Sequence, residues 1–505
     1  MKKSVSQVVL CAVFVMLCIA APCHGAATAR LTVMHVNDLH GHILPYVEKS
    51  IDPESPMSGG GRLAKMIQEE RDRNPEGCLL LAAGDMFQGT PISNVFHGKP
   101  VIELMNYLKF DAMSIGNHEF DWGMKALENL QNAADFPFLC ANVRDRRGEC
   151  VQGARPYVVL KRGRLKIAVI GLTTPETKYT TKPANVAELD FQEPETVLPR
   201  LIAEARKNGA KLVFVLSHLG MPEDMELARR VPGIDVIVGG HTHTVAKDPV
   251  RVGKTIVVQA GYYGLYLGVL DLKVDVRTGR IVDYTAEREL KPVKAGPSDP
   301  TNKDAERIVG NYHEKIRAEF AKVVGETQGD LVRHAAEESV LGDLVTDAML
   351  EVSGAEVAFE NGGGLRADIP KGPITLEHVY TLLPFDNSIV AMDMSGEQIM
   401  EVLEQNADLE HKILQVGGLR VEYNLGLPQG ARVVKALIGG EQVAPQRIYR
   451  VAVNDFLAAG GDQFTTFSKG RNPGYGDSMK EALLKYLKKH SPLNRTIENR
   501  ILFVR

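Results

Sequence analysis

Asp111-Ala112-Met113-Ser114-Ile115 runs directly into Gly116-Asn117-His118-Glu119-Phe120-Asp121. The first five residues read as a short buried strand. The next six form a turn that carries an amide oxygen, an imidazole and, three residues on, a carboxylate. An imidazole beside a metal-ligating amide is placed to meet charge developing on a phosphoryl group. A nearby carboxylate would hold that imidazole protonated and correctly turned. Alone, this is only a polar turn, and its meaning depends on four others of the same kind.

Those four follow short apolar runs. Leu31–Val36 leads into Asn37-Asp38-Leu39-His40-Gly41, and Cys78–Ala83 into Gly84-Asp85. Leu212–Leu216 leads into Ser217-His218, and Val236–Val238 into Gly239-Gly240-His241-Thr242-His243. A further run, Leu165–Ile170, carries no such turn. Between the runs lie amphipathic stretches at Gly61–Arg73, Val101–Leu108, Lys125–Asn132 and Pro194–Asn208. This alternation predicts an α/β layered domain from Arg30 to Lys294, with its ligands at the carboxyl ends of the strands. Asp38, His40, Asp85, Asn117, His218, His241 and His243 make seven candidate metal ligands. Mixed oxygen and imidazole donors suit zinc, manganese or iron better than magnesium or calcium. Seven donors exceed one tetrahedral ion and match two divalent ions sharing a carboxylate, with Asp85 as the bridge. A lone strand-end Asp or His is more often a cap or a satisfied polar group. Five such turns in one domain argue against coincidence. His42 is expected to face solvent or to stand behind the ligands.

The 505 residues predict roughly two to four domains. A net charge of −4 and a single Trp give no support to nucleic-acid or anionic-membrane binding. Lys2 and Lys3, the apolar run Val8–Ala21 and the small residues around Ala27-Thr28-Ala29 predict a signal peptide over 1–29. The expectation is an exported protein, periplasmic or extracellular, with no stable membrane anchor. Three of the six cysteines, Cys11, Cys18 and Cys23, fall in that segment. Of the rest, Cys78 reads as a packed thiol, while Cys140 and Cys150 bracket a charged turn and are candidates for pairing.

Lys291 to Pro300 is rich in Pro, Gly and Ser. After it, Ile308, Tyr312, Ile316, Phe320 and Val323 recur at helical spacing, which predicts a helix over Asn302–Val323 inside a 295–325 linker. A second, smaller α+β domain is expected over 326–505, with helices near Leu341–Glu351 and Glu397–Gln405. It offers three stretches with binding chemistry. Glu360-Asn361-Gly362-Gly363-Gly364-Leu365-Arg366 exposes backbone N–H groups and a guanidinium. Leu383-Pro384-Phe385-Asp386-Asn387 and Asn454-Asp455-Phe456 place aromatic rings in loops, and Asp462 follows six residues after Phe456. Two such rings sandwich a flat base, and a carboxylate accepts from ribose hydroxyls.

The five strand-end motifs resemble the signature of the calcineurin-like metallophosphoesterases. That resemblance implies a four-layer α/β/β/α sandwich. It implies one site built from Asp38, His40, Asp85 and His243, and a second from Asp85, Asn117, His218 and His241. It also implies that His118 faces the scissile phosphate with Asp121 as its partner. The three later stretches resemble the C-terminal domain of the 5′-nucleotidase family, which implies nucleoside binding by Asn361, Arg366, Phe385, Phe456 and Asp462. Relatives often carry a further Arg before the helix near Leu341. Here Arg333 stands displaced from that place, with Ala335 and Ala336 nearer to it. The implied activity is removal of the 5′-phosphate from nucleotides by a two-metal site, with domains that hinge at the linker helix. Alternatives are a UDP-sugar or dinucleotide pyrophosphohydrolase, a 2′,3′-cyclic nucleotide phosphodiesterase and a non-enzymatic nucleoside-binding surface protein.

Overall fold

The structure is a computed structural model that describes residues 28–48, 51–151, 153–285, 290–334, 336–408 and 413–504. Apart from Thr28 and Ala29, which open the first strand, the expected signal segment and its three cysteines lie outside the described residues.

Two sheets form the first domain. One has the order Ile281–Thr285, Tyr266–Asp275, Thr28–Val36, Cys78–Ala82, Ala112–Ser114 and Phe138–Leu139, with Leu290–Pro292 also pairing Tyr266–Asp275. The other has the order Val250–Val252, Thr255–Val258, Val236–Val238, Leu212–His218, Leu165–Thr173 and Tyr157–Arg162. The strands that carry the candidate ligands pair in parallel within each sheet, so their carboxyl ends gather at one edge.

The period of two along each strand sorts its side chains between layers. Leu31, Val33, Leu79 and Leu81 meet Val169, Phe214, Leu216 and Val238 between the sheets. Met34, Val36, Leu80 and Ala82 face the other way, toward helices Gly60–Arg73 and Lys99–Tyr107. On the far side, Ile170, Val213, Val215 and Ile237 face helix Pro194–Lys207. Strands buried on both faces read as unbroken apolar runs, and the four-layer sandwich follows. His218 differs from the expectation of a residue beyond its strand. Ser217 and His218 still pair with Leu172 and Thr173, so the ligand sits on sheet backbone and not in a turn.

The connecting helix spans Lys303–Phe320 and is capped by Asn302, whose side chain accepts from the N–H groups of Asp304 and Ala305. Its buried face of Ala305, Val309, Tyr312, Ile316 and Phe320 packs into the helical layer of the first domain. At its end the Phe320 ring meets Tyr380 of the second domain, with centroids 5.1 Å apart.

The second domain is built on a five-stranded sheet in the order Leu414–Gly417, Val357–Asn361, Ile448–Asn454, Ser388–Ser395 and Arg471–Ser478. Helices Val340–Ser353 and Met479–His490 cover one face. Helix Gly396–Ala407 and a four-stranded sheet cover the other. Cys78 and Cys140 are buried and Cys150 half-buried, and all three are free thiols. Cys150 Sγ accepts from Arg144 Nη1 at 2.7 Å, while the Cys140 thiol lies 3.2 Å from Thr173 Oγ1. Among the described residues no helix is long and apolar enough to cross a membrane.

Candidate active site

The carboxyl-end edge of the two sheets brings all seven candidate ligands together. Asp38, His40 and His243 form one triad, and Asp85, His218 and His241 a second; within each, the donor atoms lie within 4.8 Å of one another. Asp85 Oδ2 stands between them, 3.0 Å from His218 Nε2 and 3.8 Å from His40 Nε2. Asn117 Oδ1 joins the second group at 3.2 Å from His218 Nε2. In the first, His243 Nε2 lies 3.4 Å from Asp38 Oδ1.

The backbone is bent to make this possible. Asp38, His40, Asp85, His241 and His243 all have positive φ, between +48° and +77°. Non-glycine residues rarely adopt that region, and a cluster of them marks a functional site. Gly116 is tied to the same geometry, because a Cβ there would strike the Asp85 carboxylate.

Imidazole orientation is set from behind. His40 Nδ1 lies 2.7 Å from the Gln88 carbonyl and His218 Nδ1 2.7 Å from the Ala83 carbonyl. A carbonyl only accepts, so each Nδ1 carries a proton and Nε2 is the ring nitrogen turned toward the site. Asp38 is fixed in turn by Asn37, whose Nδ2 donates to Asp38 Oδ2 at 2.7 Å and to the Gly261 carbonyl at 2.6 Å.

One contributor escaped the sequence reading. Glu119, inside the opening stretch, is buried and accepts from three backbone N–H groups: Asp85 at 2.9 Å, Met86 at 2.8 Å and Gly116 at 2.6 Å. It thereby clamps two ligand-bearing turns together. Its only sequence signal was a carboxylate beside two polar residues. Arg333 does line the same cleft, with its Nε 3.9 Å from Asp368 Oδ1. His42 stands behind the ligands rather than in solvent, stacked on Tyr263 with centroids 4.0 Å apart.

His118 belongs to neither triad, and its ring lies beside that of His40, with centroids 5.2 Å apart. Its Nδ1 lies 2.7 Å from Asp121 Oδ2, and Asp121 Oδ1 accepts from Thr181 Oγ1 at 2.7 Å. Burial disfavours the imidazolium, but Asp121 and Asp85 outweigh that penalty, so His118 titrates above an ordinary histidine. Its ring packs against Phe385 of the second domain, with centroids 5.5 Å apart.

The second domain closes over this edge and leaves a cleft of about 810 Å³ lined by both, within the range of small-molecule sites. Arg366 extends across it, its Nη2 3.2 Å from His40 Nε2. Asn361 Nδ2 donates to Asp462 Oδ2 at 2.9 Å. Phe456 packs on Gly461, where a Cβ would come within 2.5 Å of the ring. All five residues expected to hold a nucleoside therefore line one cleft with Asp85, Asn117, His241 and His243, while Asp38, His40 and His218 are buried beside them.

Two family models cover most of the chain: Calcineurin-like phosphoesterase over residues 31–245 and 5′-nucleotidase, C-terminal domain over residues 321–469. A 5′-nucleotidase-related protein of Glossina morsitans morsitans is 30% identical over the whole of both chains. The chain belongs to the 5′-nucleotidase family. Among solved structures, a 5′-nucleotidase precursor from Thermus thermophilus superposes with a TM-score of 0.85 at 34% identity, over 94% of this chain and 99% of that one. The Trifunctional nucleotide phosphoesterase protein YfkN of Bacillus subtilis is 32% identical over 93% of this chain, which spans 35% of that longer protein. Membership of the 5′-nucleotidase family implies divalent metal ions, and the two triads are the donor sets that fit them.

Proposed function

We propose that the protein is an exported two-metal hydrolase that converts a nucleoside 5′-phosphate to the nucleoside and phosphate. The observation that carries this reading is a single cleft, with one wall bearing two ligand triads around Asp85 and the other bearing Phe385, Phe456, Asn361, Arg366 and Asp462. Asp38, His40, Asp85 and His243 would hold one ion, and Asp85, Asn117, His218 and His241 the other, zinc or manganese in each. Bound there, the ions supply positive charge to the phosphoryl oxygens and acidify water. Water attacks phosphorus, the P–O5′ bond breaks, and O5′ leaves with a proton. His118, protonated and held by Asp121, places an N–H against charge that develops during that exchange. Arg366 reaches the phosphate end of the cleft with a planar, many-donor group. Phe385 and Phe456 take the base between them, and Asp462 accepts from the ribose.

The test is phosphate release from AMP, ADP, ATP and UDP-glucose by protein loaded with zinc or manganese. AMP is expected to yield adenosine and phosphate, and EDTA to abolish turnover. Full metal occupancy with no phosphate released from any nucleotide would overturn the reading.

A further inference from the structure

The nucleoside wall of the cleft is tied together by a side chain outside it. Asn454 ends strand Ile448–Asn454, is fully buried and does not line the cleft. Its Oδ1 accepts from the N–H of Leu457 at 2.8 Å, which caps the short helix Asp455–Ala458 that bears Phe456. Its Nδ2 donates to Asn361 Oδ1 at 2.9 Å and to Glu360 Oε2 at 2.8 Å. The direction of this chain is forced. A backbone N–H must meet an oxygen, so the Asn454 amide turns its nitrogen toward Asn361. Asn361 must then present its oxygen, and its own nitrogen is left to hold Asp462. Asp462 needs holding, because its backbone sits at φ 49° and ψ 28°. The far end rests on Glu360, which is buried beneath Gly364 of the glycine turn; a Cβ on Gly364 would come within 2.5 Å of Glu360 Oε1. Burial pushes the Glu360 carboxyl up to about 8, with Asp462 and Asp455 adding to the rise against the pull of Asn454. The support under Asn454 is therefore a largely neutral acid at neutral pH.

We infer that Asn454, seated on Glu360, is a positioning residue for nucleoside selection: it fixes the Phe456 ring and the Asp462 carboxylate relative to each other, so that base stacking and ribose hydrogen bonding are satisfied at once. The inference rests on the nucleotidase reading above. A preorganised pair costs the ligand less ordering than two loops set independently. A phosphate ester without a nucleoside makes neither contact and is indifferent to the pair.

The experiment compares phosphate release from AMP and from glycerol 2-phosphate, which has no ring to stack, on the metal-loaded protein, for wild type, Asn454→Ala, Asn454→Asp and Glu360→Gln. Asn454→Asp keeps the oxygen that caps the Phe456 helix but loses the N–H donated to Asn361. Both Asn454 variants are expected to raise KM for AMP about tenfold or more, since Asn454→Asp loses two buried hydrogen bonds and Asn454→Ala three. Their kcat/KM for glycerol 2-phosphate should stay within about twofold of wild type, which also reports an intact fold and metal centre. Glu360→Gln keeps a neutral acceptor for Asn454 and should leave KM for AMP at the wild-type value. An unchanged KM for AMP in both Asn454 variants overturns the inference, as does a parallel fall on both substrates. If the wild type cleaves glycerol 2-phosphate but neither prefers AMP nor binds adenosine, the nucleotidase reading fails and this inference with it.

Discussion

His118 is held by Asp121 and pressed against Phe385, so its imidazolium is both oriented and partly shielded from water. Replacing it with alanine removes a preorganised donor without touching either triad. Turnover of AMP is expected to fall about 10²- to 10³-fold with metal content unchanged, measured by steady-state kinetics beside elemental analysis. Loss of metal in that variant would mean that His118 serves the centre structurally. A different residue contributes to the pH response of stability, alongside other buried carboxyls such as Glu360. Asp224 is fully buried, and neither of its carboxylate oxygens has a hydrogen bond of normal geometry among the described residues. Burial pushes its pKa up to about 8, against a weaker pull from Ser217. The folded state therefore keeps a proton that the unfolded chain has lost between about pH 4 and pH 8. Stability declines across that window, by at most about 1.4 kcal/mol per pH unit for this group, and levels off above it. Asp224→Asn should flatten that part of the profile, read as the difference in urea midpoint between variant and wild type from pH 5 to 9.

At the scale of the element, the sharp turns after the strands carry the site, and their glycines set how close neighbours come. Gly116→Ala would push a methyl into the Asp85 carboxylate. The expected outcome is loss of metal and of turnover, with little change in circular dichroism. The connecting helix makes a contrasting case, because its N-cap is remote from the chemistry. Asn302→Ala removes the acceptor for two backbone N–H groups and for the Tyr107 hydroxyl. It should cost about 1 kcal/mol of stability in denaturant titration and leave kcat for AMP as it was.

Across the whole molecule, polar contacts join the domains around the cleft. Arg366 meets His40, Asn94 Nδ2 donates to the Pro384 carbonyl at 3.0 Å, and Lys182 Nζ lies 2.7 Å from Asp455 Oδ2. The last is half-exposed on its lysine side, so its contribution is small and screened by salt. Asp455 also neighbours Phe456, so the pair draws the aromatic loop toward the metal edge. Lys182→Ala is expected to raise KM for AMP about two- to fivefold at low salt. The difference from wild type should disappear near 1 M NaCl, where the screening length is about 3 Å. A difference independent of salt would assign Lys182 a direct contact with substrate instead.

The layered α/β architecture and the candidate ligands that folding brings together were legible in the chain because both follow from local rules. Strands buried on both faces must be apolar throughout, metals accept only a few side-chain types, and a tight approach to an ion calls for glycine nearby. The helices from Gly60–Arg73 to Met479–His490 obey the same period that exposes one face and buries the other. Other features depend on which distant segments meet. Glu119 is one acidic residue among 63 until folding brings the N–H groups of Asp85, Met86 and Gly116 onto it. His218 belongs to its strand only because Thr173 pairs with it. Asn454 acts on Asp462 only through Asn361, 93 residues earlier in the chain. Residue type and spacing decide which chemistry is available. The direction of a hydrogen bond, the burial of a carboxyl and the closure of one domain on another are decided by contacts between segments far apart in sequence, and those exist only in the folded molecule.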